Sequence, residues 1–208
     1  QSLWTKAQLH LFTDDQKKIL SYFQDKFETT LPTYKELRKS VVHNDPNDNN
    51  IIISSDRRHP KAIAAIDYGD AIYTQIINDL AILCAYGAMG QNDSLDASLA
   101  FVKGYHSKFP LQEEELSHLY NSIAMRLVII VTRAAQSKIE EPDNEYLWIS
   151  EKPAWDVLEK WYRISPEFAH YSFREACGFT PHPNEKQFNK WTETTNFNFS
   201  DLFPSFLS

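Results

Sequence analysis

Glycine is scarce in this chain: Gly69, Gly87, Gly90, Gly104 and Gly178 are the five in 208 residues, and no group of them forms a loop able to cradle a phosphate. Any nucleotide site here lacks its Gly-rich half. Cysteine is scarcer still. Cys84 and Cys177 stand far apart in apolar surroundings, which suits reduced buried thiols rather than a secreted disulfide framework, so a cytoplasmic location is expected. Basic residues are outnumbered, 21 Lys and Arg against 28 Asp and Glu for a net charge of −7; this argues against a nucleic-acid partner and favours a cationic one. No apolar run approaches the ~18 residues of a membrane span, and no membrane partner is expected. The opening segment, which starts on Gln1, has neither a basic flank with an apolar core nor an Arg/Ser-rich amphipathic pattern. No targeting peptide is expected, and the chain reads as a piece of something longer.

What is present is ample apolar material, 42 % of the chain with 13 % aromatic, enough to bury a substantial core. From Thr13 to Ser40, Ile19, Leu20, Phe23, Phe27, Leu31, Tyr34 and Leu37 recur at helical spacing, interrupted by Pro32, as one long or two short helices. Val41-Val42-His43 is β-prone, and Asn44 to Asn50 is a block of turn formers. Ile51-Ile52-Ile53 and Ala62 to Ile66 then read as two short strands of a hairpin. After Asp70 the pattern is helical almost throughout: Ile72, Ile76, Leu80 and Leu83 mark one face, Leu95 to His106 another segment, and Leu116 to Ala134 a helix apolar enough at its centre to be buried all round. Pro153 suits the first turn of a further helix through Trp155, Leu158, Trp161 and Tyr162, aromatics best read as core. Glu113-Glu114-Glu115 reads as a solvated helix start. Thr180-Pro181-His182-Pro183 ends regular structure, and the remainder to Ser208 reads as a linker.

One region carries chemistry. Asn50 begins the first hairpin strand and Asp67 follows the second, so antiparallel pairing sets them side by side at the open end, with Asp45 held nearby in the same loop. An amide oxygen and two carboxylates are hard ligands that suit Mg²⁺ completed by phosphate and water. The order His43, Asp45, Asn50, hairpin, Asp67, Gly69 has the spacing of the protein-kinase catalytic loop followed by its metal-binding Asp. In that template Asp45 accepts the proton of an attacking hydroxyl, Asn50 and Asp67 hold Mg²⁺ against ATP, and His43 shapes the loop rather than acting as a base. Taken alone, Asn47, Asp48 and Asn49 are turn residues; the ordered set with strands between is what raises the chemical reading above the turn reading. Asp70 is either the N-cap of a helix starting at Ala71 or a group near the metal.

His43 to Asn50 followed by Ala65-Ile66-Asp67-Tyr68-Gly69-Asp70 resembles the catalytic and metal loops of the aminoglycoside phosphotransferase and choline kinase superfamily. Within it the likeness is greatest to hydroxylysine kinase and to the kinase-like domain of fused phosphotransferase and class III aminotransferase proteins, through Leu37-Arg38-Lys39, the Asn-Asp pairs of the loop, Asn144 to Leu147 and Phe173 to Phe179. The resemblance implies an α+β, mostly helical fold, the C-terminal lobe of a protein-kinase-like enzyme with a short catalytic-loop hairpin over residues 1–180, followed by a tail or linker over 181–208. It implies Mg²⁺ and ATP as cofactors, an amine-bearing alcohol such as a hydroxylysine-like amino alcohol as acceptor, and a role for Asp79 in bracing the catalytic loop from the next helix. Flanking Ile76, Ile77, Leu80 and Ile82 favour a buried, partnered Asp79 over an exposed one. Two departures stand out. The family's Gly is Asn44 here, a residue that tolerates φ > 0, and the Gly-rich loop, strand Lys and helix Glu of the nucleotide lobe are absent. The expectation is a catalytic lobe without its nucleotide lid, a kinase inactive as an isolated fragment. A homoserine-, choline- or ethanolamine-type kinase and a non-catalytic ligand-binding module in a multidomain protein are the alternatives.

Overall fold

The computed structural model describes residues 2–182 and 184–195; residues 196–208 of the expected linker lie outside the described residues. The chain begins with a short helix, α1 (Ser2–Ala7), and a long one, α2 (Asp14–Lys35), opened by a capping box in which Thr13 Oγ1 accepts from Gln16 N and Gln16 Oε1 accepts from Thr13 N. Pro32 lies inside α2 without ending it, so of the two expected forms the chain takes the one long helix.

Four short strands follow. β1 (Lys39–Val42) leads into the loop from His43 to Asn50, β2 (Ile51–Ile53) and β3 (Ala62–Ala65) form the expected antiparallel hairpin, and β4 (Ile72–Gln75) pairs antiparallel with β1 from Lys39↔Gln75 to Val42↔Ile72. The helical reading of Ile72 onward is corrected here: Ile72, Tyr73 and Thr74 are strand residues, and helix begins only at α3 (Ile77–Gly87). No helix starts at Ala71, so Asp70 caps none; it ends a 3₁₀ turn, Tyr68–Asp70.

The rest is helical: α4 (Ser94–Lys108), α5 (Glu113–Glu140), α6 (Glu151–Arg163), α7 (Pro166–Ala176) and α8 (Glu185–Thr195), the last falling within the stretch read as a linker. Pro153 is the third residue of α6 rather than its first, still within the turn whose N–H groups have no intrahelical partner. Gly178 at φ +75° follows α7, where its N–H donates to Glu175 O (2.9 Å) and Phe179 N–H donates to Arg174 O (3.0 Å), the left-handed stop that favours glycine.

α5 is the axis of the fold. It packs on α2, α3, α6 and α7, and its middle, including Leu119, Ile123, Leu127 and Val131, is fully buried, as its apolar centre requires. Trp161 stacks on Tyr120 at 5.5 Å between ring centroids, and each residue's polar tip bonds the other's carbonyl: Trp161 Nε1 to Tyr120 O (3.2 Å) and Tyr120 Oη to Trp161 O (2.9 Å). Among the described residues no helix is long and apolar enough to cross a membrane. Both cysteines are free; burial pushes the Cys84 thiol far up and Cys177 to about 11, so neither is a thiolate nucleophile at neutral pH.

The acidic run at the start of α5 is not uniformly solvated. Glu115 is wholly buried and takes the fork of Arg38, Nε to Oε1 at 2.9 Å and Nη2 to Oε2 at 2.7 Å, while Glu113 pairs with Arg174. The Arg38–Glu115 pair ties the entry of β1 to the first turn of α5, and each partner's charge makes the other's burial tolerable. Arg38→Ala is therefore expected to lower the unfolding free energy by about 3 kcal/mol, read by urea titration, because it strands a buried carboxylate. Arg38→Lys recovers only part, since an ammonium cannot reproduce the two-pronged contact.

Candidate active site

The loop between β1 and β2 is held from three sides. The Asp79 carboxylate, half-buried on the first turn of α3, accepts two backbone N–H bonds, from His43 to Oδ2 (3.0 Å) and from Asn44 to Oδ1 (2.8 Å). Those two bonds flank the point at which the chain enters the left-handed region, Asn44 at φ +65°, which Asn tolerates better than other non-glycine residues. His43 fastens the other side. Its Nε2 lies 2.8 Å from Ile66 O and its Nδ1 3.4 Å from Asp45 N; a carbonyl only accepts and a backbone N–H only donates, so the ring is the Nε2–H tautomer. His43 thereby links the loop to the end of β3.

Asp45 and Asn50 meet directly. Asn50, buried, donates through Nδ2 to Asp45 O (2.9 Å) and Asp45 Oδ2 (3.2 Å), leaving its amide oxygen without a protein donor among the described residues. Asn47 also donates to Asp45 Oδ2 (2.8 Å). Across the hairpin base, Ile66 N–H donates to Asn50 O (3.0 Å), which sets Asp67 one residue from the Asn50 backbone. Asp67 itself has φ +62°, and a Cβ on Gly69 would lie 3.3 Å from its Oδ1, so the turn closes tightly beneath that carboxylate. Asn44 and Asp67 are the non-glycine residues with positive φ among those described, and backbone strain of this kind concentrates at functional sites.

Asp45 and Asp70 face a cavity of about 330 Å³ whose other walls are Tyr86, the α5 residues Arg126 and Arg133, and the turn at Tyr146 to Ser150. Asn50 and Asp67 are not among its lining residues; they lie at the hairpin base alongside. Trp148 is a wall of this cavity, whereas Trp155 and Trp161 are in the core, as read from sequence. Asn50 and Asp67 are hard oxygen donors of the type that suits Mg²⁺ completed by phosphate and water, and no cluster of three His, Cys, Asp or Glu able to hold a metal occurs among the described residues.

Arg126 is the residue that sequence reasoning missed. From the buried middle of α5 its Nη2 donates to Asp45 Oδ1 at 2.5 Å, its guanidinium lies 5.5 Å from the Tyr86 ring centroid, and its Nε is buried without a partner among the described residues. The signal was one charged residue in the otherwise apolar run Ala124-Met125-Arg126-Leu127-Val128, since a cation there requires a carboxylate. Which carboxylate was not legible, because the partner lies 81 residues away.

A family model described as the phosphotransferase enzyme family matches residues 2–114, more than half of the chain. The hydroxylysine kinase of Xenopus laevis is 30% identical over 159 residues, which cover 73% of this chain and 42% of that protein. The hydroxylysine kinase of Danio rerio is 27% identical over 170 residues, covering 74% of this chain and 48% of that protein. The chain spans less than half the length of these curated relatives. No solved structure matches it.

Proposed function

Because the chain belongs to the phosphotransferase enzyme family, we propose that it is the catalytic lobe of a small-molecule kinase that transfers the γ-phosphoryl of ATP to the hydroxyl of an amine-bearing metabolite. One observation carries the reading: Asp45 and Asn50 are hydrogen-bonded to each other while the hairpin holds Asp67 beside Asn50. Asp45, on the cavity wall, accepts the acceptor's hydroxyl proton as the oxygen attacks. Asn50 and Asp67 would hold Mg²⁺, which neutralises charge on the phosphates when bound. His43 and Asp79 keep the loop in its strained geometry, and Arg126 aims the Asp45 carboxylate.

Phosphoryl transfer rests on positioning and charge stabilisation, and a Gly-rich loop and phosphate-binding Lys are absent from this sequence. The 208-residue chain alone is therefore expected to bind Mg·ATP weakly, and micromolar binding by calorimetry would overturn that expectation. The relatives' names favour hydroxylysine as acceptor over homoserine, choline or ethanolamine. Full-length protein supplied with Mg·ATP and these four alcohols tests the kinase reading, with ADP release and phosphorylated product expected for one of them.

A second reading, a kinase-like module that binds a ligand without turnover, draws on the fact that both Asp45 oxygens are already engaged, Oδ1 by Arg126 and Oδ2 by Asn47 and Asn50. Absence of turnover with every acceptor would favour it.

A further inference from the structure

The charged groups lining the Asp45 cavity are Asp45, Asp70, Arg126, Arg133 and Glu151. Two of the five are neutralised within the cavity wall, Asp45 by Arg126, and Glu151 is paired with Lys138 from α5. Arg133 is the cation left over. No carboxylate pairs with it among the described residues; its guanidinium instead lies 5.8 Å from the centroid of the Trp4 ring on α1, a contact that holds the planar group in place without neutralising it. Arg133 follows Arg126 by seven residues on α5, two turns along the same face, a rise of roughly 10 Å. An unneutralised Arg in a concave site that also contains the reactive carboxylate is a ready receptor for an anionic group on whatever enters, and its forked donors match a carboxylate.

We propose that Arg133 is the carboxylate anchor of the acceptor site, a specificity-determining residue that favours an alcohol bearing a carboxylate over the same alcohol without one. The assignment rests on the kinase reading, in which Asp45 marks the position of the reacting hydroxyl. Asp70, which has no cationic partner among the described residues, leaves the site dipolar, as a zwitterion requires.

The test compares hydroxylysine with the hydroxy diamine that remains when its carboxylate is removed, using full-length wild-type, Arg133→Gln and Arg133→Lys proteins with Mg·ATP. A charged hydrogen-bonded contact of this kind corresponds to about 10–100-fold in affinity. In Arg133→Gln the kcat/KM ratio of hydroxylysine to the diamine is expected to fall by about that factor, the loss lying in KM rather than kcat, with partial rescue in Arg133→Lys. A parallel loss for both acceptors would mark Arg133 as structural and overturn the assignment, as would an unchanged ratio. If no acceptor turns over, the kinase reading has failed by itself. Calorimetric binding of hydroxylysine to wild type and to Arg133→Gln then decides the anchor separately: binding lost in the variant supports it, and equal binding rejects it.

Discussion

Asp45→Asn is expected to lower turnover of the full-length protein by about 10²–10⁴-fold, the loss typical when a positioned proton acceptor is removed. The substitution keeps an oxygen for Arg126 but turns an amide N–H₂ toward the Nδ2 donors of Asn47 and Asn50, which now bond the second carboxylate oxygen. That donor-against-donor contact costs about 1–3 kcal/mol, read as a lowered melting temperature. Folding survives, because the helical core around α5 contains no atom of Asp45. Rate and stability measured on one preparation separate the effects: a rate loss far beyond the fraction unfolded assigns Asp45 to chemistry, and a wild-type rate removes it from the reaction.

Loss of the second carboxylate has a different signature. Asp67 sits in the left-handed region, where Ala is strained and Asn is tolerated, so Asp67→Asn removes the charge with the backbone kept and Asp67→Ala adds a backbone penalty. A metal-holding carboxylate contributes several kcal/mol of transition-state stabilisation, so turnover is expected to fall by about 10²–10³-fold in Asp67→Asn. The Mg²⁺ concentration at half-maximal rate should also rise more than about tenfold, since one of few protein ligands has lost its charge. A Mg²⁺ titration of the rate reads both. An unchanged Mg²⁺ requirement would move the cation away from the hairpin base.

The difference between these variants and Arg38→Ala is one of location. Arg38 and Glu115 join β1 to α5 on a face that does not line the Asp45 cavity, so their loss reads in unfolding. Asp45 and Asp67 belong to loops that the core supports and does not need.

Local information determined a large part of this molecule. α2, α4 and α5 follow from 3.6-residue periodicity over many turns, and the β2–β3 hairpin from two short β-prone runs joined within one loop, because each signal lies within the element it describes. The candidate loop from His43 to Asn50 was legible for the same reason: His43, Asp45 and Asn50 are close in sequence, and Asn44 carries in its side chain the reason it can stand at φ +65°. Where partners lie far apart, sequence fell short. Ile72, Ile76, Leu80 and Leu83 have helical spacing, yet Ile72 to Gln75 form a strand, because β1, some thirty residues earlier, supplies hydrogen bonds that local periodicity does not encode. Glu115 looks like a solvated helix start until Arg38 meets it, and Arg126 is a lone charge in the apolar middle of α5 until the fold sets it 2.5 Å from Asp45. Those pairings are decided only by tertiary structure: a charge is buried when packing brings its counter-charge within reach, and that distance is a property of the folded whole.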